Sequence, residues 1–356
     1  MAIKIRKLLI GGLLTLNALM VIAMNLCAYS SWLHPQKYPE ISYFGLMFPA
    51  FLAGTLFFMF IWIFIRKIYM LISVAGMLLC AGSIRTFCPI NFPEDAPEGS
   101  IKILSYNVLH FGDRAQDIPM EENPICKYII NSNADIVCLQ EAPDKSKNEQ
   151  IKELFSMYPY TSHETVNNTI LLCLSKYPIL KTEPIHFQSS TNGSMKYDIL
   201  IGKDTVMVLN NHLESYKLND EDKKSYKDMI KDPEKKNIKS GYKKLSEKLA
   251  VADSLRSLQA DTLQDIIEKC GRKYIIACGD FNDASISYVH RTMTRNLKDA
   301  YTMSGNGPGL SYNRSGMYFR IDNIFISDSW KPYGATVDRS IKESDHYPIY
   351  CYLHKR

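Results

Sequence analysis

The run Ile275-Ile276-Ala277-Cys278-Gly279-Asp280-Phe281-Asn282 sets a carboxylate and a carboxamide two residues apart, at the end of a short apolar segment. Such a segment reads as a buried strand, and ligands of helix-covered sheets bind beyond the carboxyl ends of the strands. Asp280 and Asn282, at i and i+2, can point the same way; one is a strong acceptor and the other both donates and accepts. The pair suits holding a water beside a phosphoryl oxygen, with an Asx-type turn closing a core strand as the structural alternative. Similar tips recur along the chain. Strand-like segments end in Asn107, in Glu141, in Asn211-His212 and in Asp345-His346, and Arg320-Ile321-Asp322 sets a further acid in an apolar strand. One polar tip is expected of any strand. Five tips with these side chains point to one shared crevice.

The elements that must position these tips start at Ile101, from where strand and helix patterns alternate to form one domain, 101–356. Strands are expected over 101–108, 135–141, 170–174, 204–212, 275–278 and 318–326, with helices over 123–130 and 150–157. An amphipathic helix is expected over Leu249–Ile267, with apolar residues at 251, 255, 258, 263, 266 and 267. Before it lies a charged insertion, Lys217 to Lys248, with 11 Lys against 7 Asp/Glu. It reads either as a solvated helix pair or as a basic rim for a polyanion.

The first 88 residues are of a different kind. Three apolar runs, 8–29, 43–65 and 68–87, are each about long enough to cross a bilayer, which takes roughly 20 residues. A cleaved signal peptide is the alternative for the first run only, and two spans would still anchor the chain. Lys4, Arg6 and Lys7 precede the first run and Arg66-Lys67 separate the second and third, which favours a cytoplasmic N-terminus. Three crossings then put everything after Phe87 outside a cytoplasmic (inner) membrane, on the periplasmic side, in a multi-pass protein tethered to the lipid bilayer. Residues 89–100, with Pro93, Pro97 and Gly99, read as a linker. The net charge of +5 is too mild to indicate a polyanion partner. Nine cysteines without a CxxC or regular spacing read as buried free thiols rather than a metal or redox motif, though exported proteins often pair theirs.

Taken in order, Ser105-Tyr106-Asn107, Leu139-Gln140-Glu141, Ser175-Lys176-Tyr177-Pro178-Ile179, Asn211-His212-Leu213, Gly279-Asp280-Phe281-Asn282, Arg320-Ile321-Asp322 and Ser344-Asp345-His346 resemble the endonuclease/exonuclease/phosphatase superfamily. That group holds DNase I-like nucleases, inositol-phosphate phosphatases and neutral sphingomyelinases. The resemblance spans 101–347 and implies an α/β fold, a four-layer αββα sandwich, here preceded by three transmembrane helices. It also implies a Mg²⁺-dependent phosphoester hydrolase, with Mn²⁺ a substitute metal. By the same resemblance Glu141 is the principal metal ligand, with Asn107 beside it.

His346 is then the base or the imidazole that contacts phosphate, and Asp322 could hold its other nitrogen. Asp280 is the competing water-activating group, with Asn282 on a phosphoryl oxygen. His212 donates to the phosphate or the leaving oxygen, and Asp345 orients its neighbours or supports the metal. Two departures stand out: the segment 167–175 is a loose version of the family pattern, and Asn211 replaces the usual serine or threonine before the histidine. The substrate is left between nucleic acid and phospholipid. The enzyme readings are a nuclease, a lipid phosphodiesterase of sphingomyelinase or phospholipase C type, or a phosphatase. A catalytically inactive membrane-anchored binding protein is the non-enzymatic alternative, which the retained acids and histidine oppose. No protein partner is inferred.

Overall fold

The computed structural model describes residues 2–112, 118–189, 191–219, 221–222, 238–314 and 317–356. Half of the lysine-rich insertion, residues 220 and 223–237, lies outside the described residues.

At the N-terminus, α1 (Ala2–Ser30) is followed by a short α2 (Pro39–Ser42) and by α3 (Phe48–Ile65). Two helices, Lys4–Ser30 and Pro39–Ile65, are long and apolar enough to cross a membrane. The third expected crossing is not one straight helix. It divides into α4 (Met70–Leu79) and α5 (Ala81–Phe87), and the helix pair bends by 72° at the break. Cys80 leaves the helical backbone there, at φ −114° and ψ 26°, and the Tyr29 hydroxyl donates to the Leu79 carbonyl at 2.7 Å beside the break. Polar contacts tie the apolar helices together: the Ser73 hydroxyl donates to Asn17 Oδ1 at 3.0 Å, and Asn25 Nδ2 to the Gly76 carbonyl at 3.2 Å.

The rest of the chain builds two six-stranded sheets. The first contains β1 (Ile101–Asn107), β2 (Ile136–Gln140), β3 (Tyr160–Val166), β4 (Thr169–Ser175), β11 (Trp330–Val337) and β12 (Ile349–Lys355), ordered β11-β12-β1-β2-β4-β3. The second contains β5 (Ile179–His186), β6 (Gly193–Ile201), β7 (Asp204–His212), β8 (Ile275–Asp280), β9 (Lys298–Asp299) and β10 (Asp322–Ile326), ordered β5-β6-β7-β8-β10-β9. Each sheet has one parallel pair at its centre, β1 with β2 and β7 with β8, so four strand ends converge on one edge of the sandwich.

Alternation along the strands decides the layers. Ile103, Cys138, Val208, Ile276, Cys278 and Ile324 face inward and fill the space between the sheets. Their neighbours Leu104, Val137 and Leu139 face α6 (Pro124–Ser132) and α7 (Asn148–Leu154). On the other side Met207, Ile275, Ala277 and Phe325 face α8 (Ile238–Lys269) and α9 (Tyr288–Met293). The four-layer αββα sandwich is therefore present. All nine cysteines are free, and Cys138, Cys173 and Cys278 sit together in the inter-sheet core.

Two local expectations change, and one strand had not been expected. Helix α8 begins at Ile238 rather than Leu249, because Tyr242, Leu245 and Leu249 extend an apolar stripe at i, i+3 and i+7 through the lysines. The strand expected from 318 starts at Asp322; Phe319 makes only an isolated bridge with Tyr312. Strand β5 had no apolar alternation to announce it, since it carries Lys181, Glu183 and Pro184 at a sheet edge, where such residues are tolerated.

The N-terminal helices are not merely strung to the sandwich. A Cβ on Gly45 would meet the Ile286 carbonyl oxygen at 1.8 Å, so backbone lies directly on backbone. Ser42 Oγ donates to Asp253 at 2.7 Å, His34 contacts Asp261 at 3.0 Å, and Asn91 Nδ2 donates to the Gly305 carbonyl at 2.6 Å. Arg320 donates to the Thr86 carbonyl at 2.7 Å and to Asp299 at 2.8 Å.

Burial works against the charge of Asp299, but the Arg320 guanidinium and the His290 and Thr302 contacts outweigh it and hold the carboxyl far below the usual carboxylate range. A depressed pKa stabilises the fold above the unfolded value, about 3.9, and that stability is lost as pH falls below it. Asp299→Asn is therefore expected to cost about 3 kcal/mol at neutral pH. Thermal midpoints of the two proteins, well apart at pH 7, should draw together below about pH 4; a gap independent of pH would contradict the ion pair.

Candidate active site

Register brings the site together. His212 on β7 is level with Asp280 on β8, and Asp280 is level with Asp322 on the antiparallel β10. In the facing sheet Asn107 on β1 is level with Gln140 on β2, and Glu141 follows at once. The sheets are joined just beneath by polar contacts, Gln140 Nε2 donating to Asn210 Oδ1 at 2.7 Å and Asn210 Nδ2 to the Leu139 carbonyl at 3.1 Å.

Asp280 is the centre of the group. Asn107 Nδ2 donates to it at 3.1 Å and to Glu141 at 3.0 Å. His346 Nε2 lies 3.6 Å and His212 Nε2 3.7 Å from the same Asp280 oxygen, and His212 Nε2 is 3.5 Å from Glu141. His346 Nδ1 donates to Asp322 at 2.8 Å. The Asn282 backbone N–H and side chain both return to Asp280, at 2.8 and 3.2 Å, while its amide also donates to the Leu213 carbonyl at 2.9 Å. Glu141 and Asn282 both hold positive φ, 49° and 52°, a strained backbone of the kind that clusters at active sites.

These contacts set the charges. Burial pushes the Asp280 carboxyl up, and Asp322 adds to it while the two imidazoles oppose, leaving it raised to about 6. Burial disfavours the His346 cation, but Asp322 and Asp280 outweigh it and raise its pKa well above the ordinary histidine value. Burial also opposes the Glu141 charge, yet His212, the Asn107 amide and His346 bring its pKa below the usual carboxylate value.

The expected residues Asn107, Glu141, His212, Asp280, Asn282, Asp322 and His346 thus meet in one place. Asp345 lines the same crevice, half-buried. Asn211 does not join them: its side chain turns back to the Leu209 and Cys278 carbonyls, at 3.3 and 2.9 Å. Ser175-Lys176-Tyr177-Pro178 sits where the chain passes from the first sheet to the second, with Ser175 and Tyr177 bonded to each other and Lys176 to Asn133 and Asp135. That motif is a corner.

Sequence reasoning missed two side chains and gave a third, Ser344, no role. Thr169 Oγ1 lies 2.8 Å from His212 Nδ1 and so fixes that ring. Tyr312 packs its ring edge-on to His346, with centroids 5.2 Å apart. Ser344 links the His346 N–H to the Asn107 carbonyl, at 3.2 and 2.7 Å. A histidine at a strand tip signals that some partner must hold its second nitrogen, but nothing in the loose 167–175 segment singles out Thr169.

The donor set suits a divalent cation. Glu141, Asp280 and Asp322 bring three carboxylates to one floor, and hard cations take oxygen ligands. Asp322 Oδ1 is buried with no hydrogen-bond partner. Asp280, Asp322 and His346 offer ligand atoms all within 4.8 Å of one another. Asn107 directs its nitrogen at the carboxylates, so in this orientation it bridges Glu141 and Asp280 instead of offering an oxygen.

The endonuclease/exonuclease/phosphatase family model matches residues 104–346, more than half of the sequence. The chain belongs to this family. A model described as a domain of unknown function matches residues 6–87, and no curated protein matches the sequence. D. rerio TDP2, solved with a single-strand DNA product, is 18% identical with a TM-score of 0.53, over 72% of this chain and 100% of that one. The human Nocturnin catalytic domain with bound sulfate is 14% identical with a TM-score of 0.53, over 74% and 96%. An endonuclease/exonuclease/phosphatase from Bacteroides vulgatus is 17% identical with a TM-score of 0.50, over 73% and 100%. At these identities the likeness is one of fold.

Glycine at 279 is what lets β8 lie against β7 at the site. Its φ is +136°, and a Cβ there would meet the Asn211 carbonyl oxygen at 2.0 Å. Gly279→Ala is expected to destabilise the protein by about 2–5 kcal/mol, read as a lower thermal midpoint. An unchanged midpoint would contradict this close approach.

Proposed function

We propose that the chain is a membrane-anchored, Mg²⁺-dependent phosphoester hydrolase acting on phosphodiesters, with Mn²⁺ able to replace Mg²⁺. The observation that carries the reading is the His346–Asp322 hydrogen bond, set beside Asp280, His212 and Glu141 on one crevice floor. In this reading Glu141 is the principal metal-holding residue, with Asp280 and Asp322 as the nearby acids and Asn107 as the amide that spaces them. A divalent cation bound there would neutralise charge on the phosphate oxygens.

The geometry supports the remaining roles. Asp322 accepts the Nδ1 proton of His346 and leaves Nε2 facing Asp280 and the crevice. The neighbouring Asp322 and Asp280 carboxylates raise the pKa of this imidazole and so favour its protonated form, which suits donation to a phosphoryl oxygen over proton removal. Asp280, raised to about 6, is the group matched to accepting a proton from water near neutral pH. Asn282 holds that carboxylate in place, and His212, fixed by Thr169, faces the leaving oxygen.

The anchoring and its direction belong to the same proposal: residues 1–88 as the membrane region, 89–100 as a short connection and 101–356 as the catalytic domain outside the cytoplasmic membrane. The sandwich docks on residues 34–45, between α1 and α3. The basic Arg66-Lys67 pair lies across α3 from that docking segment, which supports this direction.

The test is a double-variant cycle on a nitrophenyl phosphodiester with saturating Mg²⁺. His346→Ala and Asp322→Asn should each lower kcat by roughly 10²–10⁴-fold, and the double variant should be little worse than His346→Ala alone. Thermal midpoints measured alongside separate loss of chemistry from loss of fold. Rate losses that simply multiply would dissolve the pair.

A further inference from the structure

The crevice above the acidic floor measures about 760 Å³, more than a phosphoryl group needs, and its walls change character with height. At the bottom are Glu141, His212, Asp280 and His346. Above them one wall is apolar and aromatic: Tyr43, Leu46 and Met47 from the turn that joins α2 to α3, in the first part of the second membrane-length helix, and Tyr242, Leu245 and Leu249 from α8. Met317 and Phe319 stand among the other lining residues. Among the described residues that line the crevice, Lys217 is the one Lys or Arg, and it is paired with Glu214 at 2.5 Å. A groove for a nucleic-acid backbone needs a track of cations. The described walls supply hydrocarbon.

The height of this wall above a bilayer is set by the chain. Met47 directly precedes α3, whose 18 residues rise about 27 Å, close to the roughly 30 Å hydrocarbon thickness. If α3 crosses, Leu46 and Met47 stand at the boundary between hydrocarbon and headgroups. Tyr29, Trp32 and Tyr38, all exposed, lie in the same part of the chain, as aromatic residues do at membrane interfaces. The segment is also locked to the catalytic domain: Gly45 lies on the Ile286 backbone, Ser42 on Asp253, and Gln36 Nε2 donates to the Ser254 carbonyl at 3.0 Å. The membrane part therefore completes the crevice as well as anchoring it.

We propose that the substrate of this site is the phosphodiester of a membrane amphiphile, its phosphate on the Glu141/Asp280/His346 floor and its hydrocarbon against the wall made by Leu46, Met47, Leu245 and Leu249. This rests on the hydrolase reading above and adds the substrate class. The reaction is hydrolysis without redox change: a water oxygen forms a new P–O bond and the P–O bond to the leaving oxygen breaks. One proton of the water ends on the leaving oxygen and the other is released.

The test uses the full chain in nanodiscs of digalactosyldiacylglycerol, a bilayer lipid that contains no phosphoester, with Mg²⁺ present. Three substrates share one leaving group: ethyl, octyl and thymidine-5′ p-nitrophenyl phosphodiesters. The wild type should turn over the octyl ester with kcat/KM at least tenfold above the ethyl ester, mostly through KM. Leu245→Asn/Leu249→Asn should reduce that octyl-to-ethyl ratio to below threefold. Met47→Ser, at an exposed position, should reduce it in the same direction. Because all variants see the same bilayer, partition of the octyl chain into lipid cannot mimic this loss. A thymidine ester preferred over the octyl ester, or a ratio unmoved in both variants, would overturn the lipid inference while leaving the hydrolase reading intact. Failure of the wild type to hydrolyse any of the three would overturn both.

Discussion

The structure turns on a buried carboxylate with too much charge around it. Asp280 is about 1% exposed, has Asp322 level with it on the next strand, and faces Glu141 across the sandwich through the Asn107 amide. Acids gathered like this repel one another and pay for lost hydration. Two imidazoles, one shared amide and the Asn282 backbone N–H compensate, and each arrives from a different part of the chain. The sandwich can thus be read as the frame that delivers these compensating groups to one point. Parallel pairs at the centre of both sheets direct Asn107, Glu141, His212 and Asp280 to the same edge, and the antiparallel β10 enters there with Asp322.

A second buried charge cluster ties this point to the N-terminal helices. Arg256 has no exposed surface; it bonds Asp253 and the Glu214 carbonyl, stacks over Tyr216 and lies 3.6 Å from Asp283, the residue after Asn282. Burial raises the Asp283 carboxyl to about 7, and Asp253 adds to this while the guanidinium opposes it. Asp253 also accepts from Ser42, beside the segment that walls the crevice. One connected set of polar contacts therefore runs from the inter-helix segment to the loop that holds Asn282. Positioning of the loop that holds Asn282 and docking of the N-terminal helices rest on the same side chains.

The family signature made the site legible because it sits on strand ends, where side-chain identity and position are both fixed by register. Seven of the residues expected there meet, and the αββα layering follows from the continuous apolar runs of β2, β7 and β8, which mark strands buried on both faces. What stayed hidden was contact between distant segments. Thr169 has no local mark, since its meaning comes from the His212 ring across the sandwich. The first half of α8 was masked by lysines, its stripe at Tyr242, Leu245 and Leu249 having value only against Tyr43 and Leu46. The bend at Cys80 has no proline to announce it. Asn211 was grouped with its neighbour His212, but side chains alternate along a strand, so it faces away from the crevice.

The central claim is that the acidic floor holds a divalent cation for phosphoester chemistry, with Glu141 its main attachment. The most direct measurement is a calorimetric Mg²⁺ titration of the full chain beside Glu141→Gln, which keeps the shape of the side chain and removes its charge. The account predicts that the wild type binds Mg²⁺, and that the variant binds it at least tenfold more weakly at an unchanged thermal midpoint in the absence of metal. Equal affinity in the two proteins would contradict it.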